Sequence, residues 1–214
     1  ILAKDRLGVL QGKYEVLRKG ITGKKLVGTK YEPLFDSLVK AEPEGIDNAF
    51  QVLPASFVTM DEGTGIVHTA VMYGADDFQL GKKFNLPAHH TVDKTGRFTE
   101  DVEQWAGKPV KEVEPSIIQD LKQRGLLYRQ EKVTHTYPFC WRCDTPLLYY
   151  AIDSWYVAVT KFKDKLLLNN KKTRWVPGHL KTGRFGKWLE EVKDWSVSRN
   201  RYWGAPIPIW ICEE

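Results

Sequence analysis

Short apolar runs separated by glycine turns fill the first 70 residues and constrain the fold more than any other feature of this sequence. Two such runs, 14–17 and 57–60, contain β-branched and aromatic residues, and Gly23 and Gly63 mark turns near them. This pattern is typical of short strands and hairpins, whereas amphipathic helices show apolar residues at a period near 3.6. We therefore predict that residues 1–70 form a β-rich half.

Helical patterns are concentrated in the rest of the chain. The predicted helices span residues 76–85, 115–125, 161–170 and 183–193. The second is the clearest, because Pro115 suits a first helical turn and Gly125 suits the position after the last turn. The mixture of predicted strands and helices indicates an α/β fold.

The last third of the chain is basic and rich in tryptophan. The net charge is +5 and the pI is near 9.0, which fits a polyanionic partner, although many basic proteins bind no nucleic acid. The cations of this region are Lys161, Lys163, Lys165, Lys171, Lys172, Arg174, Lys181, Arg184, Lys187, Lys193, Arg199 and Arg201. Trp155, Tyr156, Trp175, Trp188 and Trp195 lie among them, and we expect most of these aromatic side chains in the core and most of the lysines in solvent.

A chain of 214 residues can bury one sizeable domain with an appendage. The composition shifts near residues 145–160, so we predict one domain over residues 1–145 and a second segment over residues 146–214. No apolar run approaches the roughly 18 residues that a membrane-spanning helix requires, and no secretory signal pattern opens the sequence. We therefore expect no membrane partner and a cytoplasmic location.

A glycine-rich turn followed by a histidine is the first pattern that indicates chemistry. Gly63, Thr64 and Gly65 precede an apolar pair and then His68 and Thr69. Glycine lets another backbone or a ligand approach closely, and a histidine at the end of a strand can face a pocket. A merely exposed or structural His68 is the alternative.

Two carboxylates follow this histidine at the predicted start of a helix. Gly74 permits a tight entry, and Asp76 and Asp77 come directly after Ala75. Aspartate is common as a helix cap, so one carboxylate can serve the helix while the other binds a cation. No serine or cysteine lies near them in the sequence, so the pattern indicates no protein nucleophile.

The three cysteines bear on metal binding. Cys140 and Cys143 have the spacing of a zinc half-site, and Cys212 stands apart from them. Tetrahedral zinc needs four ligands, for which His135 is a weak third candidate. The alternative is that the three cysteines are ordinary reduced thiols. Three other histidines are assigned to structural or surface roles: His89, His90 and His179.

Three segments resemble class I aminoacyl-tRNA synthetases for branched aliphatic amino acids. Residues 194–210 (DWSVSRNRYWGAPIPIW) resemble the return of the chain into the synthetic core. Residues 135–147 (HTYPFCWRCDTPL) look like the stretch that closes the inserted editing domain of the isoleucyl-tRNA synthetases. Residues 63–70 and 74–78 look like the active-site signature of that domain, and the resemblance extends over about residues 29–214.

The resemblance implies a β-barrel-like editing domain with surrounding helices, followed by a basic segment that leads back to the catalytic core. In that family, the residue matching Asp77 holds the α-ammonium group of a misattached amino acid, and the residue matching His68 lines the pocket for its side chain. Asp77 and His68 are therefore the expected catalytic pair. The expected substrate-binding residues are Thr64, Gly65, Thr69, Gly74 and Asp76.

The resemblance also implies the reaction and the partners. A positioned water attacks valyl-tRNA(Ile), with the terminal ribose hydroxyl assisting, and valyl-adenylate is a further candidate substrate. The partners are the acceptor end of tRNA(Ile) and the rest of the synthetase chain, which attaches isoleucine with ATP. Zinc is implied for the full-length enzyme, with Cys140 and Cys143 as two ligands and Cys212 as the first cysteine of another pair. Val71 stands where the family usually has proline.

This chain alone is expected to be a weak hydrolase without a cofactor of its own. The two nucleotide-binding signatures of the class I core do not occur in the sequence, so we do not expect it to form an aminoacyl-adenylate. In the family, a threonine-rich wall of the editing pocket lies upstream of the segment that residues 1–7 resemble. Two alternatives stay open, a non-catalytic zinc-knuckle module that positions tRNA and the editing domain of the valyl paralogue.

Overall fold

The computed structural model forms two compact units, Ile1–Ala151 and Ile152–Glu214. The structure describes residues 1–17, 20–61, 63–132, 134–199 and 207–212. None of the helices in these ranges has the length and the apolar character that a bilayer crossing requires. Helices together with a small sheet are consistent with the predicted α/β class.

Unit 1, residues 1–151, combines α-helices with short 3-10 helices. Its α-helices are α1 (Ser37–Ala41), α2 (Ala75–Phe84) and α3 (Val110–Gln123). Short 3-10 helices lie at Lys4–Val9, Gly23–Lys25, Ile46–Asn48 and Glu103–Trp105. The prediction of a helix over residues 76–85 is confirmed by α2, which ends where Asn85 takes a left-handed conformation with φ 50°.

The predicted β-rich half is wrong for the described part of residues 1–70. Residues 14–17 and 57–60 are irregular, and the pairing in this region is one antiparallel bridge, Lys30 with Gln51. Backbone hydrogen bonds of 2.9 Å extend it from Gly28 to Val52 and from Tyr31 to Phe50. The side chain of Leu17 is 88% exposed, so this run does not pack into a core of described residues, and an isolated strand is not stable without such packing.

Helix α3 begins earlier than the sequence predicts. We expected Pro115 in a first turn, but the helix starts at Val110 and Pro115 lies inside it. Val113 is only 2% exposed and packs with Trp105 and Val102, which draws the first turn into the core of unit 1. Burial therefore outweighs the cost of a proline that cannot donate to the carbonyl of Lys111, four residues earlier.

Unit 2, residues 152–214, is a helical hairpin next to a small antiparallel sheet. Its elements are β1 (Tyr156–Val157), α4 (Lys163–Lys172), α5 (Arg184–Glu190) and β2 (Trp195–Ser196), with 3-10 turns at Val159–Phe162 and Gly178–Leu180. Tyr156 pairs with Ser196, and Val157 pairs with Trp195. Helices α4 and α5 confirm the two predictions made for this region, although α5 ends at Glu190 rather than at residue 193.

Asn170 stabilises the helical hairpin. Its Nδ2 donates to the carbonyl of Lys181 at 2.9 Å, and its Oδ1 accepts from Nε1 of Trp175 at 2.8 Å. Asn170 is 8% exposed, so both bonds lie largely out of water, where an unmade hydrogen bond is costly. A Cβ on Gly186 would stand 2.3 Å from the same carbonyl, so only glycine allows α5 to approach this closely.

The expectation that most tryptophans of this region are core residues is wrong. Trp155, Trp188 and Trp195 are 51%, 59% and 61% exposed. A sheet of two short strands cannot cover three indole rings, so they remain accessible. The described residues contain this one sheet of two strands, and a β-barrel-like centre is not confirmed by them.

Candidate functional site

The loop before α2 is closed by its own carboxylate. Oδ2 of Asp77 accepts a hydrogen bond from the backbone N–H of Ala70 at 3.2 Å. A backbone bond from Tyr73 to the carbonyl of Ala70 at 2.9 Å tightens this loop, and one from Phe78 to the carbonyl of Gly74 at 2.8 Å begins α2. We name residues 70–77, the loop together with the start of α2, the Asp77 loop.

Gly74 leaves room for the close approach of the Asp77 carboxylate. A Cβ at position 74 would stand 2.6 Å from Oδ2 of Asp77 and 3.1 Å from its Cγ. The backbone of Gly74 is extended, with φ −145° and ψ 139°, so the position needs no left-handed conformation. The glycine predicted at the start of the helix therefore serves to leave space for the Asp77 carboxylate.

Neither aspartate caps α2 with its side chain. The cap position is Gly74, and no side-chain hydrogen bond satisfies the first helical amides. Asp77 is half-buried in the first turn, where the positive end of the helix dipole favours a carboxylate. Asp76 is exposed and makes no hydrogen bond to any residue that the structure describes. The capping role that the sequence allowed is thus not taken up.

Val71 packs the loop against α2. Its Cγ1 lies 2.6 Å from the place where a Cβ on Gly81 would stand, and Gly81 is buried. The branched side chain therefore occupies the space that the glycine leaves open. Packing at this position fixes the loop next to the helix that carries Asp77.

The glycine turn contacts the first residues of the chain. The N–H of Ala3 donates to the carbonyl of Thr64 at 2.8 Å, and Nε of Arg6 donates to that of Gly63 at 2.8 Å. A Cβ on Gly65, whose φ is 75°, would stand 2.6 Å from Cβ of Ala3. The close approach predicted for this turn is made by residues 3–6. The sequence carries no signal that would have identified Arg6 as a contact of this turn.

The predicted site residues form two contact groups. Gly74 and Asp77 meet in the Asp77 loop, whereas Thr64 and Gly65 meet residues 3–6. His68 and Thr69 lie between these two groups in the sequence. The side chain of His68 is exposed, and that of Thr69 is half-buried. No hydrogen bond or ion pair among the described residues joins one group to the other.

The cysteine pair lies in a tight turn. The N–H of Cys140 donates to the carbonyl of Thr145 at 2.9 Å, that of Asp144 donates to Cys140 at 2.9 Å, and Asp144 has a φ of 52°. Sγ of Cys143 is 3.1 Å from Oγ1 of Thr145. Cys140 and Cys143 therefore belong to one knuckle of chain.

Some of the remaining histidines make structural contacts, and others are exposed. His89 binds Asp101 at 2.8 Å, and this bond, together with one from Thr99, lowers the pKa of the Asp101 carboxyl. Nδ1 of His135 lies 3.0 Å from the carbonyl of Thr136. His179 is exposed. In the ranges that the structure covers, no group of three or more His, Cys, Asp or Glu side chains is arranged to hold a metal ion.

Unit 2 presents cations and indole rings to solvent. Within its described part the exposed cations are Lys161, Lys165, Lys171, Lys172, Arg174, Arg184, Lys187, Lys193 and Arg199. None of these takes part in an ion pair with a described carboxylate. Exposed cations attract phosphates, and exposed indoles offer stacking surfaces to bases. Arg201, also predicted for this set, lies outside the described residues.

Comparison with known sequences finds clear relatives of this chain. The profile of the family described as "tRNA synthetases class I (I, L, M and V)" matches residues 101–214, slightly more than half of the chain. The isoleucine–tRNA ligases of Clostridium acetobutylicum and Clostridium novyi are both 52% identical to it, over 213 and 214 residues. The isoleucine–tRNA ligase of Picrophilus torridus is 47% identical over 213 residues. Each alignment covers 100% of the chain and 20% of the relative, so the chain spans about a fifth of their length.

Proposed function

The chain belongs to the class I tRNA synthetases of the I, L, M and V group, and we propose that it contributes the hydrolytic editing domain of an isoleucine–tRNA ligase. Residues 1–145 are assigned to that domain, and residues 146–214 to the segment that returns to the catalytic core. The antiparallel bridge between Lys30 and Gln51, with its flanking backbone hydrogen bonds, is the observation that favours a β-barrel-like centre for that domain. The names of the relatives favour isoleucine over valine as the parent substrate. A role in translation favours a cytoplasmic location.

The carboxylate of Asp77 is the observation that carries this proposal. Ala70 holds Oδ2, while Oδ1 accepts no hydrogen bond from the described residues. A fixed carboxylate with one oxygen to spare suits an ammonium group, because a cation leaving water needs a charged, hydrogen-bonding partner. Asp77 thus selects esters of amino acids and fixes the carbonyl carbon relative to the attacking water.

The reaction is hydrolysis of the ester between valine and the terminal ribose. The oxygen of water forms a bond to the carbonyl carbon, and the bond from that carbon to the ribose oxygen breaks. The ribose oxygen takes up a proton, which yields free valine and tRNA with its hydroxyl restored. The neighbouring ribose hydroxyl orients the water, so the protein needs to supply position more than a nucleophile.

Isoleucine and valine differ by one methylene, which explains the need for a second pocket. An apolar pocket discriminates between two side chains that differ by one methylene by only about 1 to 3 kcal/mol, and isoleucine against valine in an isoleucine enzyme is the known example of this limit. A second pocket that admits valine and excludes isoleucine removes the remaining errors. We assign the exclusion to His68, whose exposed ring is available to crowd the extra methylene.

Deacylation by an Asp77 variant tests the proposal. In the full-length synthetase that carries these residues, Asp77→Ala should abolish deacylation of valyl-tRNA(Ile) and leave isoleucine activation nearly intact. Loss of a charge-assisted contact costs about 2 to 5 kcal/mol. Asp47→Ala is the matched control, because Asp47 is an exposed carboxylate in the first turn of another helix of unit 1. Deacylation at the parent rate by Asp77→Ala would overturn the assignment.

The knuckle at Cys140 and Cys143 fits half of a zinc site. Its two thiols would supply two of the four ligands of a structural zinc, which the second cysteine pair of the longer chain completes. Zinc would there fix the fold of the knuckle. Cys143→Ser should lower the zinc content of the full-length enzyme, as measured by metal analysis. ATP serves the synthetic site of that enzyme, and we assign no residue of this chain to it.

A non-catalytic tRNA-positioning module is the second candidate function. The exposed indoles and cations of unit 2 favour it, because they supply stacking and phosphate contacts without any catalytic group. It predicts that Lys187→Glu weakens tRNA binding while Asp77→Ala leaves deacylation unchanged. The editing proposal predicts instead that Asp77→Ala removes deacylation without changing the affinity for tRNA.

A further inference from the structure

The Asp77 loop is tied to the rest of unit 1 at two neighbouring residues. The carbonyl of Met72 accepts a hydrogen bond from the N–H of Ala151 at 2.9 Å. The phenol oxygen of Tyr73 accepts one from the N–H of Val92, also at 2.9 Å. Tyr73 directly precedes Gly74, the residue that gives the Asp77 carboxylate its space. The second tie therefore acts one residue away from the contact that positions Asp77.

Both backbone polar groups of Val92 form hydrogen bonds with tyrosine hydroxyls. While its N–H donates to Tyr73, its carbonyl accepts a hydrogen bond from the hydroxyl of Tyr150 at 3.0 Å. Val92 is 7% exposed, so these bonds lie in a largely buried environment. Burial raises the pKa of the Tyr150 phenol, which keeps its proton available for this bond.

Three aromatic rings close around this point. His90 stacks on Tyr150 with 4.1 Å between ring centroids and an interplanar angle of 9°. Tyr73 meets both rings edge-on, at 5.8 Å from His90 and 6.0 Å from Tyr150. Such pairs hold preferred relative orientations, so the ring of Tyr73 is fixed by packing as well as by its hydroxyl.

We propose that Tyr73, packed against His90 and Tyr150 and bonded to Val92, is a positioning residue that sets the place of Asp77 in the editing reaction. This inference rests on the proposed function. Tyr73 does not touch the substrate, and acts by fixing the chain immediately before Gly74. A carboxylate that must hold an ammonium group in one place depends on such a fixed support, because small displacements of a reacting group cost large factors in rate.

Single-turnover deacylation separates positioning from stability. With the full-length synthetase in excess over valyl-tRNA(Ile), a variant that is partly unfolded needs more enzyme for half-saturation but reaches the parent rate. A variant with a displaced Asp77 binds as before, because phosphate contacts dominate affinity for tRNA, and it reaches a lower saturating rate. The saturating rate and the half-saturating concentration therefore report on different causes.

The variants are Tyr73→Ala, Tyr73→Phe and, as a matched control, Tyr128→Ala. Tyr128 also accepts a backbone N–H from a distant segment, that of Gln11 at 2.6 Å, but it lies outside the ring cluster. We expect Tyr73→Ala to lower the saturating rate about a hundredfold. Tyr73→Phe keeps the ring but loses the bond to Val92, so its rate should fall between those of Tyr73→Ala and the parent, whereas Tyr128→Ala should match the parent enzyme.

Asp77→Ala is measured together with these variants. It distinguishes failure of the editing proposal from failure of the inference about Tyr73. Parent-like deacylation by Asp77→Ala would remove the editing proposal and this inference with it. Loss of deacylation in Asp77→Ala together with a parent-like saturating rate in Tyr73→Ala would overturn this inference alone. A Tyr73→Ala enzyme in which only the half-saturating concentration changes would overturn it in the same way.

Discussion

Gly74 and Asp77 are so close that a single methyl group on Gly74 would stand 2.6 Å from Oδ2 of Asp77. Gly74→Ala should therefore displace the carboxylate or break its hydrogen bond to Ala70, although the extended backbone itself accepts alanine. A displacement approaching 1 Å at such a group lowers the rate by about a hundredfold. The measurement is deacylation of valyl-tRNA(Ile) by the full-length synthetase.

Gly23→Ala provides the control for this substitution. A Cβ at Gly23 meets nothing within 4 Å, so the same chemical change in unit 1 should leave the rate unaltered. Equal rates for the two alanine variants would mean that the Gly74 contact has no bearing on the reaction.

His68→Ala should change selectivity more than rate. If the exposed ring excludes the extra methylene of isoleucine, its removal lets the enzyme hydrolyse its correct product. We expect hydrolysis of isoleucyl-tRNA(Ile) to rise by about tenfold or more, within the range that one methylene can discriminate. His179→Ala, at another exposed histidine, serves as the control. Negligible hydrolysis of isoleucyl-tRNA(Ile) by His68→Ala would identify His68 as a bystander.

Asn170→Ala should destabilise the helical hairpin of unit 2. The substitution leaves the carbonyl of Lys181 and Nε1 of Trp175 without their bonds to Asn170 in a largely buried place. Each such loss costs about 1 to 3 kcal/mol of unfolding free energy. Denaturant unfolding followed by circular dichroism measures the change. Asn169→Ala, one residue earlier and exposed, should alter the unfolding free energy by less than about 0.5 kcal/mol.

Asp194 should make the stability of unit 2 sensitive to acid. The hydroxyl and the N–H of Thr160 donate to Oδ1 at 2.7 and 2.9 Å, and they hold the pKa of this carboxyl below its ordinary value of 3.8. The stabilisation is complete above the ordinary pKa and is lost as the pH falls through the lower pKa of the folded state. The difference in melting temperature between about pH 5 and about pH 3 should shrink in Asp194→Asn. Asp153→Asn, at an exposed carboxylate outside the helices and strands of unit 2, should retain the parent difference.

Helices could be predicted from this sequence because their signals are local. Helix α2 could be predicted from a helical pattern entered at Gly74, and α4 and α5 from helical patterns of their own. The start of α3 could not be predicted, because burial of Val113 against Trp105 depends on packing that the local pattern does not show. The prediction of strands was wrong for a related reason. Residues 14–17 have a strand-like composition but pair with no other segment among the described residues.

The candidate site was predictable in its residue types and not in its geometry. Asp77 and Gly74 could be singled out because carboxylates and glycines after a histidine form an unusual pattern. The N–H of Ala70, which holds Asp77, is a backbone donor, and backbone donors have no signature in sequence. Tyr73 was missed because an aromatic residue in a loop gives no sign that its hydroxyl meets Val92, 19 residues later.

The contact between Val71 and Gly81 makes these two positions dependent on each other. Because a Cβ on Gly81 would stand 2.6 Å from Cγ1 of Val71, a larger residue at 81 is compatible only with a smaller one at 71. Enlarging residue 81 first would crowd the loop before α2, whereas shrinking residue 71 first would leave a gap beside the helix. Among related chains that keep this loop, residues 71 and 81 should therefore covary in volume.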